Sequence, residues 1–374
     1  MNKIAILQSQ SMLSMTNPQK GITAGGTQRY TLQLAKLLKR EKYEVFILSR
    51  SQVQCSDFDI EYGRIIVFNL PLSKHGDYLY SKYVYDFCKQ RKADFVCYVD
   101  LQVAKYYCYP NSIALQHGIG WDGPLKLHQY IKRCFVMKDY LRIAQKFNRI
   151  VCVDTNFINW ARCYDRNFFK HIGKYIYIPN FADGDSFPYS HIEWNKSDKK
   201  VLLYPRRLVN YRGYEIFIEM CETLKKRGYD ICPVLAFEEN AADDFSKLFE
   251  GKVCEYKIIH PKLDEINEEY RNAYLTYVPT IWSEGTSLSA IEAISTGCPV
   301  ITSDVGGLGN IVIPGLVGDI VSPTVEAFVK ATEKVLNNES LRSTWSKNCE
   351  FVRDSFLSTI WNQKMLEIIN NMQE

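Results

Sequence analysis

Short apolar runs alternate with longer stretches in which apolar residues recur every three or four positions, and this alternation sets the expected order of elements. Residues 4–7 form the first run. Gly25 and Gly26 then open a helical stretch carrying Leu32, Leu34, Ala35, Leu37 and Leu38, and residues 45–48 form the next run. A strand, a helix and a second strand in that order predict parallel pairing with a right-handed crossover. Further strands are predicted at 64–68, 95–99, 113–115 and 150–153, alternating with helical stretches such as 78–91. The polar segment 183–200 reads as a linker and hinge. A new sheet begins with Val201-Leu202-Leu203-Tyr204, followed by a helix over 214–227, and the chain closes with a helix over 360–372.

Residues 283–303 depart from the amphipathic pattern. The run 286–296 predicts a helix ended by Gly297, with Pro299 just beyond and a buried strand at 300–302. Glu292 is the only charge in that helix, no Lys or Arg lies three or four positions away, and its neighbours are small or apolar on every side. A solvated helix face carries several long charged side chains, so this helix is expected to be buried nearly all round. A lone carboxylate there is costly unless something hydrogen-bonds it. Glu284 stands just outside the helix, and Gly285, Thr286, Ser287 and Leu288 form its start, where backbone N–H groups and the helix dipole attract anions. A carboxylate, an anion seat and a second carboxylate over two turns span roughly 11 Å, the reach of a sugar, a diphosphate and a ribose laid end to end. The blander reading is a capped core helix with an incidental Glu.

Other candidates are weaker one by one. Arg207 and Arg212 lie five positions apart in a loop between a strand and a helix, which suits a clamp on a diphosphate. His117 follows the strand at 113–115, and in open α/β sheets ligands gather at the carboxyl ends of strands; His75, His128, His171 and His191 read as structural. Gly25 and Gly26 invite a dinucleotide reading, yet G-x-G-x-x-G and the P-loop Lys are both absent. A tight turn explains the pair equally well.

A length of 374 residues with 46% hydrophobic and 24% charged positions fits two ordinary domains. No apolar run is long enough to span a bilayer, and the opening residues are too short an apolar stretch for a signal peptide, so a cytoplasmic location is expected. The charge is uneven: residues 1–180 carry 26 Lys and Arg against 13 Asp and Glu, residues 181–374 carry 20 against 29, within a net of +4. Seven basic residues fall in 126–149 with Tyr130, Ile131, Phe135 and Tyr140 interleaved. That mixture suits an anionic membrane surface met peripherally, and suits a solvated amphipathic helix equally well; no nucleic-acid motif accompanies it. The twelve cysteines lack any C-x-x-C and read as reduced core thiols. Sequons at Asn195 and Asn338 read as chance matches. Asp57-Phe58-Asp59 and Asp183-Gly184-Asp185 imitate a metal-binding D-x-D, but neither follows a clear buried strand, so no required metal or other cofactor is expected.

Glu284 and Glu292 form an E-x7-E pair which, with Gly285, Leu288, Ala293, Gly297, Pro299-Val300-Ile301 and Gly306-Gly307, resembles the donor-binding signature of retaining glycosyltransferases of family 4, with the GT-B fold. The resemblance implies an α/β architecture of two Rossmann-like parallel-sheet domains facing a central cleft. They would be an acceptor-side domain, 1–182, rejoined by the C-terminal helix 358–374, and a donor domain, 183–357. It also implies transfer of a sugar from a nucleotide diphosphate sugar, a UDP-sugar favoured over a GDP-sugar, to a glycan or lipid-linked acceptor in surface polysaccharide assembly. By the same resemblance, Gly25 and Gly26 line the cleft near the diphosphate, His117 contacts the donor sugar, the 258–261 segment with His260 holds the base, Glu284 holds sugar hydroxyls and Glu292 the ribose. Arg207 and Arg212 match the family's G-R-L-x-x-x-K-G, with two departures: Arg206 replaces the usual Gly, and Arg212 replaces Lys. Three alternatives stay open, namely a nucleotide-sugar epimerase of the same fold, a non-catalytic donor-binding homologue, and a membrane-surface binding module.

Overall fold

Two parallel sheets organise the chain. The computed structural model describes residues 3–10, 12–14, 17, 25–123, 126–191, 199–237, 246–262, 265–282 and 284–372; the Asn195 sequon and part of the 183–200 linker lie outside them. In order come β1 (Lys3–Gln8), α1 (Gly26–Arg40), β2 (Tyr43–Ser51), β3 (Phe58–Ile60), β4 (Gly63–Asn69) and α2 (Lys74–Arg91). There follow β5 (Phe95–Tyr98), β6 (Ser112–Gln116), α3 (Leu127–Ala144), β7 (Arg149–Cys152), α4 (Thr155–Tyr164) and β8 (Tyr175–Tyr177). The strands lie in the order β3-β4-β2-β1-β5-β6-β7-β8, parallel throughout except for the antiparallel β3–β4 pair at the edge.

The second sheet is built from β9 (Lys200–Tyr204), α5 (Tyr214–Lys226), β10 (Ile231–Ala236), α6 (Ser246–Phe249), β11 (Lys257–Ile259), α7 (Ile266–Asn272) and β12 (Leu275–Val278). It continues with α8 (Leu288–Thr296), β13 (Val300–Ser303), β14 (Gly318–Val321), α9 (Val325–Leu336) and α10 (Glu339–Arg353), and α11 (Ser358–Asn370) closes the chain. The order is β11-β10-β9-β12-β13-β14, all parallel. Strands buried on both faces read as continuous apolar runs. Along β9, Leu202 and Tyr204 join a core with Phe217 of α5 and Phe328 of α9, while Leu203 points the other way, to Ala290, Ile291 and Ile294 of α8. Each strand order reverses once about its first strand, the doubly wound arrangement of Rossmann-like domains.

The compact units do not coincide with the expected boundaries. The first comprises Met1–His117, Leu125–Ile178 and Asn362–Glu374, the second Gly118–Pro124 and Pro179–Trp361. A short excursion of the first half therefore belongs to the second unit, where Gly123 abuts the Trp282 ring so closely that a Cβ would sit 2.7 Å from it. Ala182 is bridged to Leu357, which draws 179–182 into the second unit as well. In the first unit the later part of α11 is core: Met365 and Ile369 are buried, the Tyr30 hydroxyl donates to Met365 Sδ at 3.7 Å, and Gln33 Nε2 donates to Asn362 Oδ1 at 3.0 Å.

Other expectations are corrected in detail. The basic helix stops at Ala144, because Arg149 already belongs to β7. The cysteines are all free, but Cys134 and Cys163 are exposed rather than core. Asp57 and Asp183 serve loops: Asp57 Oδ1 accepts from Val67 N at 2.8 Å, and Asp183 Oδ1 from Asp185 N at 3.0 Å. Asn338 caps α10, its side chain accepting from Leu341 N at 3.1 Å.

Candidate functional site

In the second unit the strand order reverses between β9 and β12, so the loops leaving their carboxyl ends splay apart and create a ligand crevice. Those loops, 205–213 and 279–287, carry the residues singled out in the sequence and are tied together by their backbones. Tyr204, buried at the end of β9, donates its hydroxyl to the carbonyls of both Arg207 (3.2 Å) and Arg212 (3.3 Å). Ile281 N donates to Tyr211 O at 2.9 Å, and Ser289 Oγ of α8 donates to Pro205 O at 3.1 Å. Gly213 closes the first loop at φ +75°, where a Cβ would meet Pro279 O at 1.8 Å, so only glycine fits.

Glu284 lies at the centre, almost fully buried. Its Oε2 accepts from Arg206 Nη2 at 2.6 Å, from Thr280 Oγ1 at 2.9 Å and from Arg212 Nη1, and Arg206 Nη1 also donates to Thr280 Oγ1. Burial alone would raise the carboxyl pKa, but the two guanidinium groups outweigh it and hold Glu284 below the ordinary carboxylate value. Its carbonyl accepts from Gly307 N at 2.9 Å, and Gly306 turns at φ +60°, where a Cβ would lie 2.0 Å from that same carbonyl. Arg206, which the sequence marked only as a departure from the family pattern, joins Arg212 around Glu284. Arg207 is exposed and makes no ion pair among the described residues. Burial distinguishes the two arginines, and adjacent identical residues give no sequence signal for it.

The helix after Glu284 starts two residues later than its sequence suggests. Thr286 is held outside it, its Oγ1 accepting from Asn180 N at 2.9 Å and its carbonyl from Asn180 Nδ2 at 2.6 Å. Gly285 leads in, Ser287 is the N-cap and Leu288 the first helical residue, with no side-chain cap on the first turn. Uncapped N–H groups at a helix start are donors for water or a ligand anion. Glu292 is 3% exposed, as the apolar surroundings predicted, and the Tyr270 hydroxyl of α7 donates to its Oε2 at 3.0 Å. Tyr270, Arg206 and Asn180 are contributors that local pattern reading misses, since each partner lies in a distant loop or helix, whereas Thr280 is only four positions from Glu284.

The remaining candidates are spread over both units. His260 follows β11 in the second unit, exposed, its Nδ1 donating to Phe237 O at 2.9 Å. In the first unit His117 ends β6; Tyr30 packs edge-on against it at 5.2 Å between ring centres, and its Nε2 is buried without a hydrogen-bond partner among the described residues. Burial pushes its pKa down to about 4, so the ring is neutral at physiological pH. Gly25 is the N-cap of α1, whose first residue is Gly26; a Cβ on Gly25 would meet the Gln28 side chain at 2.2 Å. Among the described residues no group of three His, Cys, Asp or Glu is placed to hold a metal ion, and no helix is long and apolar enough to cross a membrane. A cavity of about 470 Å³ edged by Lys200, Asp230 and Glu339 lies at the amino ends of β9 and β10, away from the switch point.

Comparison with known proteins shows what the chain is similar to. Residues 189–350 match the family described as glycosyl transferases group 1. The chain is 30% identical over 156 residues to the capsular polysaccharide biosynthesis glycosyltransferase CapM of Staphylococcus aureus, covering 41% of this chain and 40% of that protein. It is 24% identical over 161 residues to the alpha-D-kanosaminyltransferase of Streptomyces kanamyceticus, covering 40% of each. These matches therefore span two fifths of the relatives' lengths. A longer match, 26% identical over 340 residues, covers 85% of this chain and 87% of an uncharacterized glycosyltransferase of Methanocaldococcus jannaschii. The sucrose-phosphate synthase structure from Thermosynechococcus elongatus has a TM-score of 0.79 at 16% identity, covering 99% of each chain. The Anabaena HepE structure with UDP-glucose has a TM-score of 0.69 at 15% identity, covering 98% of this chain and 99% of that one. The fold is that of the GT-B glycosyltransferases.

Proposed function

We propose that this chain is a glycosyltransferase that moves a sugar from a nucleotide diphosphate sugar to a glycan or lipid-linked acceptor, with retention of anomeric configuration. The observation that carries this reading is the buried, ionised Glu284 beside an uncapped helix start at the switch point, eight residues before the buried Glu292. Departure of the sugar develops negative charge on the diphosphate, which preorganised donors must meet. The first N–H groups of α8, with Arg212 and the exposed Arg207, are the donors available. Glu284 then receives a sugar hydroxyl. Glu292 receives the ribose hydroxyls in place of, or beside, Tyr270. In this reading the acceptor attacks from the leaving-group face and the departing phosphate takes its proton, so no protein base is assigned. Uridine donors are tried first because HepE is solved with UDP-glucose.

A thermal-shift series with UDP-glucose, UDP-N-acetylglucosamine, UDP-galactose and GDP-mannose tests the reading; one donor should raise the melting temperature selectively. Glu292→Ala should weaken nucleotide binding, and Glu284→Ala should chiefly slow transfer. No shift with any donor, or negligible effects of both substitutions, would count decisively against it.

The acceptor side of the proposal is a membrane surface. On α3, Ile131 is 68% exposed and Phe135 66% exposed, with Lys132, Lys138 and Arg142 on the same helix. Among its described side chains the helix buries only Ile143 and Ala144, at its far end. Apolar side chains presented among cations suit insertion at an anionic bilayer, where a lipid-linked acceptor resides.

A further inference from the structure

Arg206 stands where the sequence resemblance leads one to expect glycine, and its side chain is buried rather than turned out to solvent. It is the most enclosed cation at the switch point: 7% of its side chain is exposed, against 19% for Arg212, and both bind the same oxygen of Glu284. That oxygen, Oε2, has three donors, whereas Oε1 has no partner among the described residues. A carboxylate held by one arginine alone would be left as an uncompensated buried charge whenever that arginine moved, which is strongly unfavourable. With a second arginine and a threonine in place, the more exposed arginine can move away while the carboxylate stays paired.

We infer that Arg206 is a positioning residue that keeps Glu284 paired and oriented with Oε1 open to one sugar hydroxyl, and thereby releases Arg212 to bind the diphosphate of the donor. The inference rests on the nucleotide-sugar reading above and deepens it. Arg206 itself touches no donor atom; it acts through Glu284 and Arg212.

The test is isothermal titration of the full chain with uridine 5′-diphosphate and uridine 5′-monophosphate, and with the guanosine pair, read as the ratio of diphosphate to monophosphate affinity. In Arg206→Met, Arg212 is the only cation left for Glu284, so the ratio should fall about tenfold, the scale of one charge-assisted hydrogen bond. Arg206→Lys, which keeps the charge and loses the forked donors, should fall less. Adding Glu284→Gln to Arg206→Met should bring the ratio back to the wild-type value or above it, because a neutral amide no longer holds Arg212. An arginine that merely braces the loop would lower both affinities alike, leave the ratio unchanged and show no recovery in the double variant; that result overturns the inference. Should Arg206→Met not fold, the lysine variant and the double variant, which leaves no unpaired carboxylate, still separate the two roles through the same ratio. If neither nucleotide pair binds the wild-type chain, the donor reading itself fails; an unchanged ratio with binding intact removes only the role given to Arg206.

Discussion

An ionisable side chain shielded from water is informative only together with its surroundings, and those of Glu284, Glu292 and the half-buried His117 differ. Glu284 is held ionised by two arginines and Glu292 receives a tyrosine hydroxyl, whereas the Nε2 of His117 is buried with no hydrogen-bond partner among the described residues. The last has a consequence for pH. His117 titrates near 4 when folded against 6.5 as the ordinary value, so the unfolded chain takes up its proton first as pH falls. Stability should therefore be unaffected by this group above about pH 6.5 and decline between there and about pH 4. Urea midpoints at pH 7.5 and pH 5 check this: wild type should lose more stability than His117→Gln, which has no proton to gain. Equal losses would mean the ring is solvated. At this scale the sequence was legible for Glu292, whose neutral neighbours foretold burial, and illegible for its partner. Tyr270 and Glu292 are 22 positions apart, and Arg206 and Glu284 are 78 apart; no local pattern encodes such pairings.

At the scale of elements, the strands were readable because a parallel sheet covered on both faces needs continuous apolar runs, and β9 and β13 supply them in the sequence as they do in the fold. Helix ends were less readable. The start of α8 moves to Leu288 because Asn180, from a distant part of the chain, takes up Thr286, and the end of α3 is set by where β7 must begin. Glycines mark the places where two loops touch. Gly213→Ala would combine a left-handed backbone with a Cβ driven into Pro279 O, so a loss of at least about 2 kcal/mol is expected in chemical denaturation. Nucleotide binding should weaken with it, since the residue before Gly213 is Arg212. A variant as stable as wild type would show that the 205–213 loop rearranges freely.

For the whole molecule, charge and exposure are set unequally. The basic half of the sequence contains α3, and the acidic half contains the Glu284 cluster despite its two arginines. If α3 meets lipid, the full chain should co-float with vesicles containing phosphatidylglycerol and remain behind with phosphatidylcholine alone, and Ile131→Ser with Phe135→Ser should reduce flotation severalfold while the melting temperature holds. Flotation indifferent to lipid charge or to these substitutions would leave α3 a solvated helix. The sequence indicated two parallel-sheet domains, one after the other along the chain. The chain's excursion at 118–124 and the division within α11 were not visible, because both depend on contacts made only after the sheets have formed.

The composition of the first unit also bears on how the protein is made. Its interior includes Met365 and Ile369, so the core of this unit is complete only once residues beyond Trp361 are available. Synthesis on the ribosome usually lets the leading domain finish first. Here the leading sheet cannot close its core until residues 362–369 are available, so it is not expected to finish before the trailing one.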